Sequence, residues 1–308
     1  RLTMNYNELY NTIQDYLETT ETLFVANIPT FVQQAEERIY NSVQIPALRK
    51  NVVGTATTAN KYLSCPDDFL SVFSLAAVNA AGEYEYLLNK DVNFIRAAYP
   101  NPADSGIPRY YALFGPQYTN RNELSFILGP TPDANYTVEL HYFYYPPTIV
   151  QGVIKTVGAI TGGTSYTNGT YLGVPLTGGQ GSYATADIVV LSGAVSSVTI
   201  RNGGSLYVVG DTLSCSAANI GNTGSGFSVP VATVSNASGT SWLGDNYSPV
   251  LLYGSMREAV LFQKGEQDMV AYYEQRFQEA LAQLTRLGDG LERGDAYRDG
   301  QARIKVVT

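Results

Sequence analysis

The sequence predicts an α+β protein of several domains, in which a helical bundle carries two inserted β regions and an extended C-terminal arm. Helical patterns occupy only the two ends of the 308-residue chain, and strand and turn patterns fill the stretch between them. Short amphipathic helices are marginal alone and must bury their apolar stripes against other elements. We therefore expect the end helices to pack on one another, so that everything between them is an insertion.

The expected domain boundaries follow the changes of pattern along the chain, which is long enough for two or three cores. Residues 1–50 and 241–288 form the helical bundle, 51–150 a β-rich insertion, 151–240 a second, all-β insertion, and 289–308 the C-terminal arm. This arrangement is more typical of a structural component than of an enzyme.

Two helices are predicted near the N-terminus. Apolar residues recur at helical spacing over 5–18 and again over 28–45. Pro29 lies near the predicted start of the second helix, where its missing N–H is harmless, and Pro46 ends that helix. The solvent-facing side of this helix is expected to carry three consecutive charged residues: Glu36, Glu37 and Arg38.

Residues 51–150 show mostly strand patterns separated by turns. The predicted strands are Phe69–Val78, Tyr84–Leu88, Arg109–Phe114, Glu123–Leu128 and Tyr136–Tyr145. One short helix, Val92–Ala98, begins after the capping residue Asp91. The last strand alternates most clearly, and its predicted core face consists of Val138, Leu140, Tyr142 and Tyr144.

Residues 151–240 differ in composition, with 17 of the 29 glycines and only four charged residues. They also repeat internally, because the pattern Gly-Gly-x-x-Tyr-x-x-Gly that begins at Gly162 returns at Gly203. The pair Gly181-Ser182 likewise returns as Gly224-Ser225. Glycines at recurring positions indicate turns that need positive φ. The stretch therefore predicts a compact all-β domain of two similar halves.

Helical patterns return after residue 245. Ser248 and Pro249 are a good N-cap and first helical residue, and Gly265 separates this helix from a longer one. The longer helix is predicted to end near Arg286, with Gly288 as the glycine that follows it.

The last twenty residues alternate glycine with charges and predict an arm that is disordered or extended when alone. Its β-prone end, Ile304–Val307, is suited to adding to the sheet edge of a partner. Arg293, Arg298 and Arg303 are suited to bidentate pairing with carboxylates on another protein.

Charge and hydropathy exclude several classes of function. The formal net charge of −8 disfavours binding to a phosphate backbone, which depends on Lys and Arg. A net negative charge remains compatible with a channel wall along which DNA slides. No run of about eighteen apolar residues is present, so we expect no membrane-spanning helix.

The sequence predicts no catalytic, cofactor-binding or metal-binding residues. One histidine and two distant cysteines, none with metal-ligand spacing, disfavour a zinc site. The Gly-rich stretches are not followed by helices, as a phosphate cradle requires. The remaining candidates are interpreted as structural or solvated residues: His141, Cys65, Cys215, Asp67, Asp68, Asp187 and Asp211.

Several stretches resemble the head-to-tail adaptor, or connector, proteins of short-tailed phages. They are Leu63–Phe69, Phe94-Ile95 with Tyr99-Pro100, Gly106–Ala112, Leu128–Pro132, Val138–Pro147, Ser241–Leu243 with Tyr247, Leu251–Tyr253 with Glu258-Ala259, and Tyr297–Ile304. Their order along the chain, more than any single motif, carries the likeness. Residues 151–240 depart from the family pattern, which has a short link there.

The resemblance implies a structural virion protein, made in the host cytoplasm and assembled as a dodecameric ring at the head-tail junction. The ring would join the portal protein to the tail nozzle protein, with tail fibres as a further partner, and would line the DNA exit channel without reading its sequence. The arm would reach the portal, and its expected contact residues are Arg293, Tyr297, Arg298, Arg303 and Ile304.

Two other functions remain open. The first is a tail or fibre-attachment protein whose inserted β domain binds a fibre or a host glycan through aromatic side chains, namely Tyr166, Tyr171, Tyr183, Tyr207 and Phe227. Because Tyr166 and Tyr207 recur with the repeat, we expect them in the core instead. The second is a cell-wall hydrolase, which the lack of a catalytic constellation disfavours.

Overall fold

The computed structural model describes residues 3–66, 68–101, 103–115 and 124–292. Six α-helices and several antiparallel sheets make the described chain an α+β protein. The described chain divides into two compact units: residues 3–43 with 147–284, and residues 44–146 with 285–292. The division into four domains that the sequence predicts stays a prediction.

The helices of the described chain are α1 (Tyr6–Leu17), α2 (Thr22–Ser42), α3 (Val92–Ala98), α4 (Trp242–Asn246), α5 (Ser248–Phe262) and α6 (Gln267–Glu292). The strands of the second unit are β1 (Arg49–Ala56), β2 (Tyr62–Ser64), β3 (Phe69–Val78), β4 (Tyr84–Tyr86), β5 (Leu88–Asn89), β6 (Tyr110–Phe114), β7 (Ser125–Gly129) and β8 (Tyr136–Tyr144). Those of the first unit are β9 (Val153–Val157), β10 (Thr161–Thr164), β11 (Gly169–Pro175), β12 (Ser182–Leu191), β13 (Ala194–Ser205), β14 (Thr212–Leu213) and β15 (Ser225–Ser235).

In the first unit, helices from the two ends of the sequence pack on one another. The ring of Phe262 on α5 lies 6.2 Å from that of Phe24 and 5.2 Å from that of Phe31, both on α2. A Cβ atom on Gly254 would lie 3.0 Å from the Cβ of Ala35, so this glycine lets α2 and α5 approach closely. The packing of Phe262 on the buried rings of Phe24 and Phe31, together with the close approach at Gly254, holds the N-terminal and C-terminal helices together.

An ion-pair network also joins α2, α5 and α6. Arg38 on α2 lies 3.2 Å from the carboxylate of Glu258 on α5 and 3.6 Å from that of Glu274 on α6. Arg257 pairs with the same two carboxylates. Because four charges share their partners, each carboxylate faces two guanidinium groups.

Helix α2 begins earlier than its sequence predicts. The prediction places its start at residue 28, whereas the helix spans Thr22–Ser42 and has Pro29 in its interior. Phe24 and Ile28 are fully buried, so their packing extends the helix toward the N-terminus. That burial offsets the hydrogen bond which the proline cannot donate.

Helix α6 ends later than its sequence predicts. It continues through Gly288 to Glu292 instead of ending near Arg286. A Cβ atom on Gly288 would lie 2.3 Å from Cγ2 of Ile45. The glycine is therefore needed for a close side-chain approach inside the helix, and it does not form a left-handed C-terminal cap.

The second unit contains two four-stranded sheets, with strand orders β1-β8-β3-β4 and β2-β7-β6-β5. All pairings are antiparallel except that of β5 with β6. The sheets share an apolar core in which Phe126 of β7 makes edge contacts with Phe69 and Tyr111. Helix α3 covers the other face of β7 through Ile95 and Ile127. All five residues of β7 are buried because both its faces are covered.

Strand β8 alternates as its sequence predicts. Its inward side chains Val138, Leu140 and Tyr142 belong to the core, with Tyr144 packed against it. Residues 139, 141 and 143 therefore point to the opposite face of the sheet.

The two halves of the glycine-rich stretch exchange strands. The strand with the first Gly-Gly motif, β10, pairs with β15 of the second half, and β13, with the second motif, pairs with β12 of the first half. The motif tyrosines follow the same exchange. Phe227 N–H donates to the Tyr166 hydroxyl at 3.1 Å, and Ala184 N–H donates to that of Tyr207. Each half therefore completes the sheet of the other half.

Candidate protein interface

The outer face of the β1-β8-β3-β4 sheet in the second unit is a candidate surface for contact with another protein. It lies on the side of β8 opposite the core, where aromatic and polar side chains from four strands meet. We call it the aromatic sheet face, and its residues are Arg49, Asn51, Val53, Phe73, Tyr84, Tyr86, Glu139, His141 and Phe143.

At one end of this face an arginine stacks on two phenylalanine rings. The guanidinium carbon of Arg49 lies 4.0 Å from the ring centre of Phe73 and 5.0 Å from that of Phe143. The two rings also meet edge to face, with their centres 6.3 Å apart. Arg49 and Phe143 are opposite one another in the β1–β8 register, which explains their contact. Cation–π stacking keeps the guanidinium in place on an exposed ring.

At the centre of the face, Glu139 accepts hydrogen bonds from three side chains of the face. Asn51 Nδ2 donates to its Oε1 at 2.6 Å, and His141 Nε2 lies 3.1 Å from the same oxygen. The Tyr84 hydroxyl is a further donor. The bonds from His141, Tyr84 and Asn51 hold the pKa of Glu139 below its usual range. The hydrogen bond between the Tyr84 hydroxyl and Glu139 also raises the pKa of Tyr84.

The far edge of the face is aromatic and exposed. The rings of Tyr84 and Tyr86 on β4 are stacked with their centres 6.4 Å apart. Both tyrosines, together with Val53 and Phe73, are exposed to solvent. Exposed apolar patches are typical of protein–protein contacts, where tyrosine and arginine are enriched.

A second notable group lies inside the first unit, where the chain enters and leaves the glycine-rich stretch. Glu36 on α2 accepts hydrogen bonds from Thr148 Oγ1 at 2.5 Å and from Ile149 N–H at 2.7 Å. Asn236 donates its amide to the Thr148 carbonyl and accepts from Thr240 N–H at 3.0 Å. The two linker segments are thus tied to each other and to α2.

Glu36 is buried, which corrects its predicted position on the solvent face of α2. Its two hydrogen bonds explain how the helix accommodates a carboxyl group in its core. Burial raises the pKa of Glu36 to about 7, although both hydrogen bonds oppose that shift.

The histidine and the described acidic residues that the sequence singles out have structural partners. His141 lies beside Glu139. Asp68 accepts from Lys50 Nζ at 2.6 Å and from the Tyr142 hydroxyl at 2.8 Å, so it joins β1 and β8. Asp67 lies outside the described residues.

The acidic residues of the glycine-rich stretch hold turns. Asp187 accepts from Gly173 N–H at 2.8 Å, and Asp211 accepts from Gln180 N–H at 3.1 Å and Val208 N–H at 3.0 Å. Cys65 and Cys215 are both buried thiols in different units. Burial raises the pKa of Cys215 to about 11.

Most aromatic residues of the glycine-rich stretch belong to its core. Tyr166, Tyr207 and Phe227 are buried, which confirms the core position predicted for the two motif tyrosines. Tyr171 packs against that core, and Tyr183 is exposed. The five aromatics therefore do not form one exposed stacking platform.

The arm residues predicted to contact a portal lie outside the described residues. They are Arg293, Tyr297, Arg298, Arg303 and Ile304. His141 is the residue of the aromatic sheet face that the sequence singles out, and the face as a whole is not predicted from the sequence. Its one available signal was the alternation along β8, which assigns residues 139, 141 and 143 to the side away from the core.

None of the helices in the described chain has an apolar stretch long enough to cross a membrane. Within the same residues, no group of three or more His, Cys, Asp or Glu side chains is arranged to hold a metal ion.

Comparison with known proteins identifies a family. None of the curated proteins matches this chain. The family model described as SU10 adaptor protein matches residues 4–157, half of the chain. That range contains α1, α2 and the whole aromatic sheet face. The chain belongs to the SU10 adaptor protein family and is a structural adaptor component of a phage virion.

Proposed function

We propose that this protein forms the ring that joins the portal to the tail nozzle of a short-tailed phage and lines the DNA exit channel. Membership of the SU10 adaptor protein family carries the proposal. In this proposal the helices from both chain ends form the bundle of each subunit, and residues 51–150 and 151–240 are insertions into it. By family analogy the ring is a dodecamer at the head-tail junction.

The aromatic sheet face supplies the contact between neighbouring subunits. It offers stacked tyrosines, an arginine fixed on two rings and a satisfied carboxylate, so little side-chain conformational freedom is lost when a neighbour covers it. Head-to-tail contacts between copies generate a ring when their rotation closes.

The net charge of −8 suits a channel through which DNA passes without binding. A wall with few unpaired cations releases few counterions from the phosphates and therefore holds DNA weakly. Partners in this role are the portal protein, the tail nozzle protein, tail fibres and further copies of the chain.

The C-terminal arm contacts the portal. Arg293, Arg298 and Arg303 pair with carboxylates of the portal, and Tyr297 and Ile304 add apolar contact. The arm adds contact area when it orders against its partner.

Two measurements test this function. The mass of the purified protein alone and with the portal distinguishes a ring from a monomer or a fibre-like trimer. Deletion of residues 293–308, which begins after the end of α6, should abolish portal binding. Portal binding at wild-type strength after this deletion would contradict the role of the arm.

A second candidate function assigns the glycine-rich stretch to a fibre or a host glycan. One observation favours it: this stretch has its own apolar core and exposes Tyr183. Binding of the full-length protein to a glycan array, lost on Tyr183→Ser, would support it. We propose that the protein is not an enzyme, and turnover of peptidoglycan or polysaccharide by the pure protein would refute this.

A further inference from the structure

Four helix ends of the first unit come together at one end of its helices. Helix α1 ends at Leu17 and α2 begins at Thr22, while α5 ends at Phe262 and α6 begins at Gln267. The ring contacts of Phe262 with α2 join the second pair to the first. Burial raises the pKa of Tyr273 on α6. The nearby phenols of Tyr272, Tyr16 and Tyr253 raise it further. Tyr16 at the end of α1 therefore lies near Tyr273, in the second turn of α6.

These helix ends expose apolar side chains to solvent. We call them the helix-end surface, and its residues are Tyr16, Leu23, Leu261, Phe262, Met269 and Tyr272, each between 40% and 62% exposed. Single exposed apolar residues are ordinary on a monomer. Six of them on four adjoining helix ends are more typical of an interaction site.

Carboxylates surround this apolar surface. The two interhelix turns and the adjoining ends of the helices carry five exposed carboxylates: Asp15, Glu18, Glu21, Glu266 and Asp268. The nearby cations are Lys264 in the second turn and Arg276, which stacks on Tyr272 and pairs with Glu279. The ion pairs found among the described residues do not include any of the five carboxylates. Their charge is therefore available to a partner.

We infer that the helix-end surface docks the tail-side component of the junction, through a segment that carries Lys or Arg beside apolar side chains. This inference rests on the proposed function. Charge complementarity fixes the chemistry of the partner, because an apolar surface with an acidic rim attracts an apolar segment with cationic flanks. An acidic rim repels the phosphates of nucleic acid, and it would meet its own charge on the same surface of a second copy.

The direction of α6 assigns this partner to the tail side. The 26 residues of α6 extend about 39 Å at the usual rise per residue, from the helix-end surface toward the start of the C-terminal arm. The proposed portal contacts follow the far end of this helix. An adaptor needs a second contact away from the first, and the helix-end surface provides it.

The test uses the full-length protein and the purified tail nozzle protein as the probe. We expect the double variant Leu23→Gln with Leu261→Gln to weaken nozzle binding by about tenfold or more, since both leucines lose apolar contact in the complex. Glu266→Lys with Asp268→Lys should weaken binding similarly and remove its dependence on salt. Leu191→Gln is the matched control, because Leu191 on β12 is 59% exposed and Leu23 is 62% exposed.

Assembly mass and portal binding are measured on the same variants. The inference is supported when nozzle binding falls while both of these remain at the wild-type level. It is overturned when the leucine variant binds the nozzle as the wild type does, when it loses portal binding instead, or when its assembly mass falls. If the leucine variant binds the nozzle as the wild type does, while the ring and its portal contact persist, the assignment of this surface is wrong and the proposed function still stands.

Discussion

At the scale of single residues, Glu36 shows how one buried carboxyl group organises a junction. Its oxygens accept from Thr148 and Ile149, next to the start of the glycine-rich stretch. Sequence periodicity cannot reveal this arrangement, because the hydrogen-bond donors lie 112 and 113 residues away along the chain. A charged residue flanked by Glu37 and Arg38 is ordinarily assigned to solvent.

The raised pKa of Glu36 predicts a pH-dependent contribution to stability. Its pKa is about 7 in the folded chain against a reference of 4.5, so between these pH values the folded state binds more protons than the unfolded state. The contribution is fully present below pH 4.5 and is lost as the pH rises through 7. The free energy of unfolding should fall by an amount on the order of 3 kcal/mol, which is the difference between the two pKa values expressed as a free energy.

Glu36→Gln should remove this loss, because a neutral amide keeps an acceptor for Ile149 N–H. The free energy of unfolding of the variant, relative to the wild type, should rise by up to about 3 kcal/mol between pH 4.5 and 8. Urea unfolding over this pH range measures the difference. Glu37→Gln on the exposed side of the same helix is the control and should give a flat difference. An equally flat difference for Glu36→Gln would show that the carboxyl is charged at no cost.

At the scale of elements, the glycines of the repeated motif are required by the exchanged strands. Gly163 and Gly204 have φ of 65° and 59°. A Cβ atom would lie 2.4 Å from the Ser225 carbonyl oxygen at Gly163, and 2.2 Å from that of Ser182 at Gly204. Each motif glycine therefore meets the backbone of the other half at a point where no side chain fits.

Alanine at these two glycines should destabilise the protein by similar amounts. We expect about 2–4 kcal/mol each for Gly163→Ala and Gly204→Ala, from left-handed backbone strain together with a backbone clash. Gly173→Ala is the matched control, since φ there is 62° and nothing lies within 4 Å of the added carbon. It should cost about 1 kcal/mol, by strain alone. Equal costs at all three positions, measured by urea unfolding, would rule out the close approach.

Local patterns in the sequence predict helices and strands well where the buried residues recur with the period of the helix or strand. The bounds of β3 match the prediction, as do those of α3, and β8 shows the predicted core face. Strands β1 and β2 are not predicted from the sequence. Strand β1 is exposed along most of its length and shows no clear alternation. The aromatic sheet face depends on β1, so the pairing of distant strands, and not any local motif, creates this candidate site.

At the scale of the whole molecule, the family and the composition give a consistent picture. The SU10 adaptor protein match spans residues 4–157, whereas α5 and α6, which pack on α2, lie beyond it. The chain is low in charge and rich in tyrosine, with 15% charged residues and 24 tyrosines. Both features suit a protein that buries large surfaces against other subunits.

The aromatic sheet face makes the last prediction, which concerns assembly. Tyr86 and Val53 are 68% and 61% exposed, so Tyr86→Ser with Val53→Ser should change the free energy of unfolding of a subunit by less than about 1 kcal/mol. If the face joins neighbouring copies, each subunit has two such contacts and both are weakened, so the mass should fall from the ring to single subunits. Mass photometry at fixed concentration reads this directly.

The matched control is Leu191→Ser with Val209→Ser, at 59% and 63% exposure on the glycine-rich stretch. This pair loses a similar apolar area from a surface to which no contact between subunits is assigned, so the ring should persist. A ring that survives the Tyr86 and Val53 changes and falls apart with the control pair would move the subunit contact to the glycine-rich stretch. The stretch would then be part of the ring itself and not an attachment site for a fibre.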